Sequence, residues 1–209
     1  MEEVDLVFDT NIYNLGDAIS HVYFPNSGII SLLAAIDVSS TLEVGIVGRE
    51  GMAGLSIFLG VKQSRVRAIV QGNGTATRIT ATAFEKEFAN GGDLSRIMLR
   101  FAHSMLVQIS QSAVCYRFHP IEKRLARWLL MTGDRMETNE YQITQDFLSN
   151  MLGVRREAVT RAAGSLQKRD LISYSRGHIL IIDRPGLDAA ACKCYSIIRD
   201  EETNFQVAK

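Results

Sequence analysis

The stretch from Ile143 to Ile172, ITQDFLSNMLGVRREAVTRAAGSLQKRDLI, restricts the fold more than any other part of the chain, because it encodes two short helices joined by a tight turn. Thr144 is placed to cap a first helix that carries Asp146 in its opening turn, and Phe147, Leu148, Met151 and Leu152 form its apolar face. Gly153 ends that helix. In the second, Val159, Ala162, Ala163 and Leu166 recur at helical spacing and point inward, which turns Arg156, Glu157, Thr160 and Arg161 to the opposite side. This division suits a helix-turn-helix, whose second helix enters the DNA major groove and presents its N-terminal side chains to base edges. Ala158, Ala162, Ala163 and Gly164 keep the helix slim, and Arg156 or Arg161 can offer a guanidinium fork to guanine. Charge on an exposed helix face is ordinarily just solvated. Here, however, SYSRGHILII follows, alternating and then apolar, with Arg176 and Gly177 at the tip of a hairpin, so a two-stranded wing adjoins the second helix.

The net charge is zero, which argues against an indiscriminate polyanion binder, but the mean hides an uneven distribution. Glu2, Glu3, Asp5, Asp9 and Asp17 crowd the start, while Arg155, Arg156, Arg161, Lys168, Arg169 and Arg176 crowd the helix-turn-helix. No apolar run is long enough to span a bilayer and the N-terminus is acidic, so a cytoplasmic protein without membrane contact is expected. The 3 cysteines fit reduced thiols better than a disulfide framework.

From Val4 to Ile79 short apolar or alternating runs are punctuated by turn residues. Candidate strands run from His21 to Phe24, Gly28 to Ala35, Leu42 to Val47 and Val66 to Gln71, with turns near residues 14–17, 25–27, 48–51 and 72–74. Many short strands with glycine-rich turns suggest a small β-roll or barrel. A short helix from Ala81 to Phe88 would close it, with Gly91 and Gly92 marking its end. A long helix follows from about Asp93 to Arg117, striped by Leu94, Met98, Phe101, Met105 and Ile109. The stripe has two readings, packing against the chain's own barrel or forming a homodimer seam. Pro120 restricts His119 to extended geometry, so one helix ends near Phe118 and another begins, presenting Ile121, Leu125, Trp128 and Leu129 inward. Beyond the wing, residues 183–186 read as a turn and Leu187 to about Arg199 as one final helix.

The VRREAVTRAAGSLQKRDLI run, the preceding ITQDFLSNMLG and the upstream EKRLARWLL together resemble the Crp/Fnr family of bacterial transcription regulators. HVYFPNSGIISLL and VGREGMAGLSIFLG resemble that family's sensor domain, so the likeness covers nearly the whole chain. In the family an Arg-Glu-x-x-x-Arg pattern reads the operator, and here it falls on Arg156, Glu157 and Arg161. The resemblance puts Thr144, Gln145 and Arg155 at phosphate contacts. It implies an α+β fold. Residues 1–118 would form an N-terminal double-stranded β-helix, jelly-roll-like and similar to cyclic-nucleotide-binding domains, with a long dimerisation helix at about 93–117. Residues 119–209 would form a C-terminal winged helix-turn-helix DNA-binding domain.

Family members that bind cyclic AMP use a Gly-Glu pair for the ribose, an Arg-Ser pair for the phosphate and a Thr-Ser pair on the long helix for the base. The matching places hold Gly54, Leu55 and Ser56, then Arg65 and Arg67 with no serine following either, then Ile109 and Ser110. These residues outline a candidate effector pocket, yet a site built around a buried hydroxyl loses several powers of ten in discrimination once its polar partner is gone. Cyclic AMP is therefore not the expected effector. An Fe-S cluster needs about four thiolates, and no cysteine precedes Cys115. Haem would rest on His21, His103 or Cys115, each a lone residue. No histidines lie close enough in sequence for a cupin metal centre, and the CxC pair Cys192 and Cys194 has no sequence neighbour that could complete a zinc site, so no metal is expected.

These readings converge on a homodimer, without catalytic residues, that binds double-stranded DNA at an inverted repeat, with RNA polymerase a candidate further partner. The competing reading is a ligand-binding or enzymatic β-barrel whose winged helix mediates protein contacts.

Overall fold

A computed structural model describes residues 1–36 and 41–207. The N-terminal part is built from β1 (Glu2–Leu6), β2 (Asn11–Tyr13), β3 (His21–Pro25), β4 (Ile29–Ala35), β5 (Thr41–Val47), β6 (Arg67–Gly72) and β7 (Gly74–Thr80). They form two antiparallel sheets, one of order β1-β7-β3 and one of order β2-β6-β4-β5. The jelly-roll-like expectation holds in this form, as two facing sheets and not a closed barrel. β1, β2 and β7 went unread in the sequence: β1 and β2 are short edge strands, and β7 carries threonine and arginine where an apolar run would have marked it.

β4 shows why its run IISLLAA is almost continuously apolar. Successive side chains of a strand point to opposite faces. Ile30 and Leu32 enter the core of the roll, whereas Ile29 and Leu33 enter a second core shared with the C-terminal helices. Val47 and Ile46 of β5 divide in the same way, as do Val70 and Ile69 of β6. The sheet is thus buried on both faces.

Helix α1 (Ala81–Ala89) is capped by Thr80, whose hydroxyl accepts from the Ala83 N–H at 3.3 Å. Helix α2 (Asp93–Phe118) is longer than any other. Its stripe faces home: Met98, Phe101 and Met105 are buried in the roll's core and Leu94 packs at its edge, while Ile109 is turned to solvent. The Phe101 ring lies where a Cβ on Gly51 would stand, at 2.0 Å, so only glycine permits that approach. The Gln108 side chain accepts from the Ile46 N–H at 2.5 Å and donates to the Ile46 carbonyl at 3.3 Å, fixing α2 on β5.

At His119 the backbone becomes extended, and Pro120 stands at the N-terminus of α3 (Ile121–Met136). Leu125, Trp128 and Leu129 are buried there, as their spacing predicts. Arg124 reaches both neighbours, stacking 4.5 Å from the Tyr116 ring of α2 and donating to the Leu152 carbonyl at the end of the next helix. Then come β8 (Glu140–Gln142), α4 (Gln145–Leu152), α5 (Arg156–Lys168), β9 (Ile172–Ser175) and β10 (His178–Ile181). The wing has three strands, in the order β8-β10-β9. The single final helix expected from the sequence is two. Asp183 caps α6 (Arg184–Ala190), the chain straightens at Ala191, and α7 (Lys193–Val207) runs back along α2. Among the described residues no helix is long and apolar enough to cross a membrane.

Polar groups are buried where α3 meets the β4-β5-β6 face. The Ser31 hydroxyl lies 2.9 Å from Glu43 and 2.5 Å from Gln71, and the Gln71 amide donates to Thr132 of α3 at 2.7 Å. Arg135 of α3 forms ion pairs with Glu50, at 2.8 Å, and with Glu202 of α7.

Candidate nucleic-acid interface

The helix-turn-helix forms where the sequence places it. The Thr144 hydroxyl accepts from the Phe147 N–H at 3.1 Å and thereby starts α4. Phe147, Leu148, Met151 and Leu152 are buried. Gly153 closes the helix in the left-handed conformation, at φ 59°, and a Cβ there would come within 2.6 Å of Leu42 on β5. α5 then buries Val159, Ala162, Ala163 and Leu166 against α3 and α4.

What remains of α5 faces outward. Arg155 is its N-terminal flanking residue, and Arg155, Arg156, Glu157, Thr160 and Arg161 are all exposed. Three of the residues expected to touch DNA are joined through one amide. The Gln145 side-chain oxygen accepts from the Thr160 hydroxyl at 2.9 Å and from Arg156 Nε at 3.4 Å. Asp146 sits 3.6 Å from the Arg156 guanidinium, whose side chain nevertheless stays 61% exposed. The first turn of α4 therefore holds the first turn of α5 in register without burying it. Arg176 and Gly177 form the two-residue tip between β9 and β10 with φ of 51° and 80°, a turn that matches the twist of the hairpin. Thr144, Gln145, Asp146, Arg156, Tyr174, Arg176 and Gly177 together line one cleft, so α4, α5 and the wing open onto a common surface. Tyr174 and Arg176 of the wing were not among the sequence candidates for this face; the hairpin signal located the wing but not which of its side chains turn toward α5.

The candidate effector residues do not converge in this way. Gly54 opens a short 3-10 turn, Leu55–Leu59, and donates its N–H to the Tyr13 hydroxyl at 3.0 Å. Arg65 is exposed, Arg67 is held by Asn11 on β2 at 2.5 Å, and Ile109 and Ser110 face solvent from α2. The interior of the roll is filled by Val22, Ile30, Val47, Met52, Ile57 and Val70.

The sequence offers the CxC pair no companion ligand, and the structure brings two to it. Cys115 at the end of α2 and the pair Cys192 and Cys194 at the start of α7 form one buried cluster, with His119 beside it. The companions that the CxC pair lacks in sequence come from 77 and 75 residues upstream, beyond the reach of spacing arguments. His21 and His103, the other haem candidates, are remote in role: His21 pairs with Ser20, and His103 lies 3.7 Å from Glu201.

Residues 123–190 match the family model for a Crp-like helix-turn-helix domain. No curated protein matches the sequence. Solved structures do match the fold. FixK2 from Bradyrhizobium japonicum superposes with a TM-score of 0.77 at 15% identity, over 91% of this chain and 97% of its own. A CRP-family transcriptional regulator from Thermus thermophilus gives 0.73 at 15% identity, over 91% and 96%. The c-di-GMP-responsive global regulator CLP from Xanthomonas campestris gives 0.69 at 18% identity, over 86% and 93%. Residues 123–190 are thus a Crp-like helix-turn-helix domain by the family model, and the roll, long helix and winged domain together share the fold of these solved structures almost end to end.

Proposed function

We propose that the protein is a homodimeric, sequence-specific DNA-binding transcription regulator with no catalytic role, acting in the cytoplasm on an inverted-repeat operator, where RNA polymerase is its further partner. The observation that carries this reading is the outward face of α5, which keeps Arg156, Glu157, Thr160 and Arg161 exposed on a helix otherwise packed into the core. Arg156, Glu157 and Arg161 address base edges; Thr144, Gln145 and Arg155 at the helix starts address phosphates, where backbone N–H groups and the helix dipole favour an anion. Residues 1–118 serve as the sensor and dimer module and residues 119–209 as the DNA-binding module.

Dimerisation supplies what one small domain lacks, since two recognition helices about 34 Å apart meet successive major grooves. The seam assigned to α2 is not its buried stripe. Leu99, Leu106 and Ile109 are 57%, 63% and 37% exposed, and with Ala102, Ala113 and Tyr116 they repeat at heptad spacing along the side of the helix adjoining that stripe. Cyclic AMP is not the proposed effector, because Leu55 replaces the ribose-binding acid and the roll's interior is packed with aliphatic side chains.

The test is fluorescence anisotropy of the purified protein against a pool of genomic fragments over a salt series. Tight binding of a subset, weakening steeply as salt rises through counterion release, is the expected result. Equal affinity for every fragment, or none at low salt, would reject sequence-specific binding.

A further inference from the structure

Four metal-ligating side chains lie together at the corner where α2 gives way to α3, outside the DNA-facing surface. Cys115 Sγ and Cys192 Sγ are 3.4 Å apart, Cys194 Sγ and His119 Nδ1 are 3.6 Å apart, and all four donor atoms fall within 4.8 Å of one another. We propose that Cys115, His119, Cys192 and Cys194 bind a single tetrahedral zinc ion that fastens the end of α2 to the start of α7.

The geometry suits one small ion. Zinc–sulfur bonds of about 2.3 Å and zinc–nitrogen bonds of about 2.0–2.1 Å place the donors of a tetrahedron about 3.5–3.8 Å apart, so the site closes with sub-ångström to one-ångström adjustments. In an iron–sulfur cluster the thiolates ligate different irons and stand farther apart. Three thiolates and an imidazole are soft donors that select zinc over calcium or magnesium. With four protein donors no position is open, which makes the site a fastener and not a catalytic centre.

The surroundings agree with that charge. Binding releases three thiol protons to solvent and leaves a centre of net charge −1. The buried guanidinium of Arg127 acts electrostatically on all three sulfurs and compensates it. Cys192 and Cys194 stand at the N-terminal end of α7, where the helix dipole favours thiolate, and Cys115 and His119 stand at the C-terminal end of α2, where it favours a cation. The cysteines belong to neither hydrophobic core, forming a cluster of their own. Spatially the ion spans the His119–Pro120 corner, and so ties the helix proposed to carry the dimer seam to the last helix of the chain.

The full-length protein, purified under reducing conditions without chelator or affinity metal, tests this by elemental analysis. About one zinc per chain is expected, falling at least tenfold in a Cys115→Ser, Cys194→Ser double variant. Metal-free protein given cobalt(II) should develop the intense visible absorption of a tetrahedral thiolate site, displaced by zinc at one equivalent. Because loss of two ligands can unfold the double variant, Cys192→His, which keeps a ligand, serves as a second probe: it should bind cobalt with a shifted spectrum. Three results would overturn the proposal. One is a protein without zinc that takes up no cobalt when reduced; another is equal metal in the double variant; the third is an intact mass two hydrogens short, showing a Cys115–Cys192 disulfide in place of the ion. None of these readouts depends on DNA, so failure here leaves the regulatory reading intact, and the reverse.

Discussion

Single side chains carry both the readout proposed for α5 and the expected response to pH. Arg156 and Arg161 are exposed, Arg156 while paired with Gln145 and Asp146, and Arg156→Ala and Arg161→Ala should each remove about 1–3 kcal/mol of discrimination at one base pair. Anisotropy against operators varied one position at a time checks this; a loss spread evenly over all sequences would make them phosphate contacts instead. Glu43 is fully buried between β5 and α3, and that burial pushes its carboxyl up to about 7, against the opposing pull of the Ser31 hydrogen bond and the Arg127 charge. The folded protein thus holds this proton more tightly than the unfolded chain does. Its contribution to stability is complete below the ordinary carboxylate range and is lost as pH rises toward 7. Glu43→Gln, which keeps a neutral amide there, is expected to flatten that decline, measured by urea unfolding at about pH 5 and about pH 8. An unchanged decline would mean that another group is responsible.

Among the elements, the helix-turn-helix was legible because its signals are local. Thr144 caps, Gly153 stops, and the apolar residues between them repeat with the helical period. Thr144→Ala should cost about 1 kcal/mol, through the orphaned Phe147 N–H, and should show as a lower urea midpoint with an unchanged slope. The long helix was legible in extent but not in orientation. Its most regular stripe, Met98, Phe101 and Met105, serves the roll, and the exposed leucines that repeat beside it were hidden by being sparser. Leu106→Glu combined with Ile109→Glu should give monomers by light scattering while leaving the far-ultraviolet circular dichroism unchanged; a persisting dimer would move the seam elsewhere. The break at Ala191 was missed because AACKCYSIIRD contains neither proline nor glycine to announce it.

For the molecule as a whole, the fold class and the order of parts followed from sequence, whereas the contacts joining them did not. Arg135 illustrates the difference. In the sequence it is one more charge on α3, yet its side chain is only 4% exposed and pairs with Glu50 from the roll and with Glu202 from α7. The cysteines gave no signal for the same reason, as Cys115 and Cys192 meet only once the chain has turned back on itself. This return of α7 along α2 also bears on biosynthesis. A ribosome delivers α2 well before α7, so the groove holding Cys115, and Glu202 as the second partner of Arg135, must wait for α7 to emerge. Until then Arg135 has Glu50 alone and the Cys115 thiol lies uncovered, so the emergence of α7, not completion of the roll, lets the molecule lock shut.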